Sequence, residues 1–255
     1  MKNKGLYKEI IMALPKLNVI NHNLNLPSTG KELTYRPFLV KEEKMLMMAM
    51  ESGEPKDMIR ATRDIITSCV EDNIDVNNLP MFDIEYIFLQ LRAKSIGDIT
   101  TISYTLGDED KCSKNKDKSC TYSTEIDLNT VTINKNKDHK DTIDLTDNIK
   151  IKMRYPEIEA STNIVGLEGE DLVNKTFEMI GNCIEYILED EEMHSTKDYT
   201  SKEVEEFLNS LTSAQFRNIQ NFFDTMPKLQ KEIIAKCTVC GKKNTKVLEG
   251  LADFF

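Results

Sequence analysis

The tightest limit on how this chain can fold is set by six cysteines in 255 residues, two of them in the run Cys237-Thr238-Val239-Cys240-Gly241. Two thiols two residues apart, ahead of a glycine that tolerates positive φ, form half of a tetrahedral metal site. Backbone N–H groups in such a turn are free to bond the sulfurs. A complete site needs two more ligands, and the other close pair is Cys112 with Cys120, in a polar loop between two stretches that alternate as strands do. Their separation exceeds the usual spacing of about two to four residues. Cys69 and Cys183 sit instead on apolar stripes of helical spacing, where a thiol packs as a small hydrophobe. His22, His139 and His194 lie in polar or charged surroundings and are expected on the solvated surface. The reading that follows is one structural zinc ion held by Cys112, Cys120, Cys237 and Cys240, tying the middle of the chain to its C-terminal hairpin. A metal-free surface dithiol is the alternative. Redox chemistry fits less well, because the cysteine pair does not open a helix after a strand.

Hydrophobic periodicity divides the rest. Residues 1–40 carry Pro15, Pro27 and Pro37 and read as an extended N-terminal arm. Residues 41–97 read as three helices, with Met45, Met48 and Ala49, then Met58, Ala61, Ile65 and Cys69, then Phe82, Tyr86, Leu89 and Ala93 at helical spacing. Residues 98–156 alternate with period two in "DITTISYTL", "TYSTEIDLNTVTI" and "DNIKIKMRYP", a small β region with a cysteine loop. Residues 157–232 return to helices, one running through Phe177, Ile180, Cys183, Ile184 and Ile187, the next two capped by Thr200 or Ser201 and by Thr212. Residues 233–255 form a cysteine hairpin and an apolar tail. The expected fold class is α+β, mainly helical, with a small antiparallel sheet and a C-terminal zinc-ribbon-like hairpin.

Charge and motifs narrow the function. A net charge of −10 opposes nonspecific contact with nucleic-acid phosphates. No apolar run reaches the roughly 20 residues that span a bilayer, and the N-terminus lacks a secretory apolar core, so a cytoplasmic location is expected. Nucleophile-elbow, P-loop and dinucleotide glycine patterns are absent, so neither catalysis nor a small-molecule substrate is expected. The acidic run around Glu189 to Glu192 reads as a solvated helix end and linker.

The stretches "MALPKLNVINHNLNLPSTGKELTYRPFLVKEEKMLMMAMESG", "FDIEYIFLQLRAKSIGD" and "FFDTMPKL" resemble the baseplate protein family of contractile-tailed, T-even-type bacteriophages. The resemblance runs from Met12 to the C-terminus. It implies a viral morphogenesis protein without a catalytic role that assists assembly of the baseplate hub by binding hub proteins in the host cytoplasm. A permanent structural subunit of the virion baseplate is the alternative. Similar proteins often carry one CxxC in mid-chain and one near the end. The terminal pair matches that pattern, while Cys112 and Cys120 depart from it. Tyr35, Arg36 and Phe38 combine aromatic and Arg chemistry and serve either as a recognition element or as internal packing. The apolar tail around Leu248, Leu251, Phe254 and Phe255 is expected to fold back on the chain's own helices, with docking in a partner's groove as the alternative.

Overall fold

The computed structural model describes residues 18–107 and 111–254. The first part of the expected arm, with Met12 and Pro15, and the final Phe255 lie outside the described residues. From His22 the chain is a hairpin: β1 (His22–Asn25) pairs antiparallel with β2 (Glu32–Tyr35). The turn between them closes through the Gly30 N–H, which donates to the Leu26 carbonyl at 2.7 Å. Alternation along β2 puts Leu33 and Tyr35 on one face, and that face is buried. They pack with Phe38 against α1 (Val40–Ser52), α2 (Pro55–Cys69) and α3 (Met81–Ser95). Tyr35 and Phe38 are therefore core side chains, 1% and 6% exposed, and are not open to a partner. Arg36 is likewise committed: its guanidinium bonds Glu42 at 2.8 Å and the Ser68 carbonyl at 2.9 Å.

Helix α3 is apolar on nearly every side, the pattern of a helix buried all round. Ile84, Ile87, Phe88 and Leu91 pack into the first core, whereas Leu89 and Ala93 pack into a second. That second core lies beneath a five-stranded sheet. The chain supplies it with β3 (Ile99–Thr105) and, after the short pair β4 (Lys111–Cys112) and β5 (Asn115–Ser119), with β6 (Thr121–Asp127) and β7 (Thr132–Asn134).

A separate four-stranded sheet follows. It is built from β8 (Thr142–Asp144), β9 (Ile149–Met153) and, beyond α4 (Ile158–Ile164) and α5 (Gly169–Asn182), from β10 (Ile184–Glu189) and β11 (Glu192–Ser195). Ile151, Met153 and Ile184 face α5, α6 (Ser201–Ser210) and α7 (Ser213–Thr225) through Ile180, Leu208, Ile219 and Phe222. Thr200 and Thr212 cap their helices, each in a reciprocal box, with Glu203 and Gln215. The chain ends in β12 (Lys228–Cys237) and β13 (Lys243–Glu249), which complete the five-stranded sheet in the order β13-β12-β6-β3, with β7 also on β12.

The fold is α+β, but it is not mainly helical with one small sheet. Four sheets are present among the described residues, the largest of five strands. Two physical reasons account for the difference. Cys183 to Ile187 fits a helical stripe and an alternating strand equally well; helix α5 ends at Asn182, and Ile184 to Glu189 bonds along β9 instead. In addition, β9 leaves the sheet of β3 and β6 to join β8 and β10, a long-range choice invisible to local pattern.

Candidate metal centre

The long β12 brings the cysteines together. Its last residues pair with β6, Lys236 opposite Ser123 and Cys237 opposite Tyr122, so the residue just before β6, Cys120, arrives beside Cys237. The knuckle turn closes locally. Cys237 N–H donates to the Lys242 carbonyl at 2.8 Å, Gly241 N–H donates to the Cys237 carbonyl at 3.0 Å, and Thr238 N–H donates to Thr121 at 3.1 Å. Gly241 holds φ +78°, a left-handed conformation that a side chain would disfavour. Cys112 comes from β4, whose pairing with β5 shifts register between Lys111 and Cys112. That irregular hairpin absorbs the long spacing and returns Cys120 to the cluster.

All four sulfurs lie within 4.8 Å of one another, with Cys120 and Cys240 at 3.7 Å. A tetrahedral ion with metal–sulfur bonds of about 2.3 Å requires sulfurs about 3.8 Å apart. The thiols therefore stand close to the required spacing. Cys112, Cys120 and Cys237 are buried, and Cys240 is half-buried. Tyr122 and Ala235, both fully buried, pack against them. Tyr104 stacks on Tyr122 at 5.5 Å and donates from its hydroxyl to Asn244 at 2.7 Å, bracing the cluster against β13.

The electrostatics favour a cation. Backbone N–H groups of Cys240 and Val239 lower the Cys237 thiol, and the Lys242 N–H draws Cys240 down to about 6. Burial pushes the Cys120 thiol up to about 12, and its neighbouring sulfurs add to the rise. Four thiolates packed together repel; a divalent ion at their centre removes that cost. The donor set fits a metal ion, and the structure brings together all four of the cysteines named from the sequence. Cys69 and Cys183 are buried in the first and third cores, away from it. Sequence reasoning missed the enclosing residues Tyr104, Tyr122 and Asn244; the alternation of Tyr104 and Tyr122 along their strands was the signal for those two. It also misplaced His139, whose ring bonds Thr225 at 3.0 Å and the Tyr155 hydroxyl at 3.1 Å and stacks on Tyr155 in a half-buried position.

Fold and cluster together define an α+β protein with a four-thiol staple of the kind that holds a structural metal. The chain belongs to the T4 bacteriophage base plate protein family, whose profile matches residues 19–255. It is 26% identical over 229 residues to the baseplate hub assembly protein gp26 of Enterobacteria phage T4, covering 89% of this chain and 93% of that protein. No solved structure matches the chain. Among the described residues no helix is long and apolar enough to cross a membrane.

Proposed function

We propose that this protein assists assembly of the phage baseplate hub through protein–protein binding, without a catalytic step, and acts in the host cytoplasm before the particle is complete. The observation that carries the reading is the similarity to a hub assembly protein over nearly the full length of both chains. The partners are hub proteins of the baseplate. In this reading Cys112, Cys120, Cys237 and Cys240 hold one zinc ion whose role is structural, since four protein thiolates leave no position open for a substrate. The ion would fix the β4–β5 hairpin and the end of β6 onto the knuckle between β12 and β13.

A permanent subunit of the virion baseplate is the second reading, favoured by the family's description as a base plate protein. Quantitative mass spectrometry of assembly intermediates and mature virions separates the two. An assembly factor is enriched in hub intermediates and depleted from finished particles. A fixed copy number in mature virions would defeat that reading and establish the subunit.

A further inference from the structure

Helix α1 places more apolar surface in water than in the core. Its inward stripe is only Glu42, Leu46 and Ala49, while Val40, Met47, Met48 and Met50 are each more than half exposed, and Met45 is 36% exposed. Methionine side chains are flexible and polarizable, and clusters of them on a surface belong to interfaces rather than to solvent.

The charges around this patch have an order of their own. From residue 41 to residue 54 the helix and the turn after it read Lys, Glu, Glu, Lys, Met, Leu, Met, Met, Ala, Met, Glu, Ser, Gly, Glu. Reversed about the midpoint between Met47 and Met48, the run complements itself at four of its seven opposed pairs. Lys41 falls opposite Glu54, Lys44 opposite Glu51, Met45 opposite Met50 and Met47 opposite Met48. Leu46 falls opposite Ala49, both pointing inward, and the remaining pairs, buried Glu42 with Gly53 and Glu43 with Ser52, set no like charges against each other. Among the described residues the side chains of Lys44, Glu51 and Glu54 make no ion pair within the chain. The last turn of α1 carries no basic residue, so Glu51 lies uncompensated at the negative end of the helix dipole.

We infer that α1 is a self-association surface, on which a second copy of this chain packs its own α1 antiparallel about a two-fold axis, with Met47 crossing Met48 and Lys44 facing Glu51 of the other copy. A two-fold contact must be self-complementary, and the opposed pairs Lys44 with Glu51, Met45 with Met50 and Met47 with Met48 are. Lys41 is already paired with Glu42 at 3.2 Å, so it is Lys44 of each copy that would supply a cation to the partner helix's C-terminal end, which lacks one. A 13-residue helix is about 20 Å long, so the contact covers much less than the roughly 800 Å² per partner of a standard interface. The dimer is accordingly weak, with Kd on the order of 10–100 μM.

Sedimentation equilibrium of the full chain over about ten to several hundred micromolar tests this. The expected apparent mass rises from 29.3 kDa toward twice that value. Lys44→Glu or Glu51→Lys alone should weaken association about tenfold or more, and the two together should restore it. Met47→Ser with Met48→Ser should abolish it. All these side chains are exposed, so unchanged circular dichroism and melting temperature are required of each variant. A chain that stays monomeric throughout this range overturns the inference, as does a dimer that neither charge reversal weakens. A monomeric chain that instead needs Met47 and Met48 to hold a hub protein also overturns it.

Discussion

The Glu85 carboxylate accepts the backbone N–H of Leu251 at 3.2 Å, a bond between the central helix and the last turn of the described chain. Burial pushes the Glu85 carboxyl up to about 7, with the charge of Glu249 adding to the rise and the Leu251 N–H opposing it. An unfolded glutamate titrates near 4.3. Between about pH 4.3 and 7 the folded state binds the extra proton, so this group's stabilisation is complete below that window and is lost as pH rises through 7. Urea melts at pH 5 and pH 8 should show wild type losing on the order of 1–3 kcal/mol more than Glu85→Gln over that interval. Equal losses in the two proteins would remove Glu85 as the cause.

Metal analysis of protein purified under reduction without chelator should find one zinc per chain. Cys237→Ser should lower that content and release the β12–β13 knuckle, seen as faster amide exchange at Cys240 to Lys242. Acidification should do the same, because thiolates must take up protons as the ion leaves. Metal-free protein with an unchanged melting temperature would exclude a structural ion.

Phe254 is fully buried beside Ile102, Leu229 and Leu248. Truncating it empties a ring-sized space under the sheet, so Phe254→Ala should cost about 3–4 kcal/mol in denaturant unfolding. A loss below about 1 kcal/mol would show that the tail contributes little to the second core.

Glu42 is 1% exposed and paired with Arg36, and it also accepts the Leu39 N–H at 3.0 Å. Burial works to raise its carboxyl, but the Arg36 guanidinium, the Leu39 N–H and Lys41 outweigh that and hold it below the ordinary range. Arg36→Ala strands this charge and should cost on the order of 2–4 kcal/mol, whereas Arg36→Ala with Glu42→Gln should recover part of the loss. Strict additivity of the two changes in a double-mutant cycle would mean the pair is uncoupled.

What was legible in the sequence divides along physical lines. The cap residues Thr200 and Thr212 and the turn at Gly241 announce themselves, because their chemistry is local. The four cysteines could be named because thiols are scarce in this chain. That Cys112 and Cys120 meet despite their spacing depends on an irregular hairpin, which composition does not encode. Ile184 to Glu189 becomes a strand because β9 offers it a partner, and Tyr35 and Phe38 enter the core because a hairpin turns them inward. In each case a distant segment decided between readings that were equivalent locally.

Helix α3 belongs to two cores at once, and one of them cannot close until β12 and β13 exist. During synthesis the ribosome makes those strands well after α3. Until then the Leu89 and Ala93 side of α3 has no sheet above it, and two of the four thiols lack their counterparts. The nascent chain thus carries an open core until β12 and β13 emerge, and a stop codon at residue 236 removes the closing strand, the knuckle and the apolar segment after it in one event. For a protein whose proposed work is to meet partners at the right moment, the emergence of those two strands sets the earliest moment at which the molecule is ready.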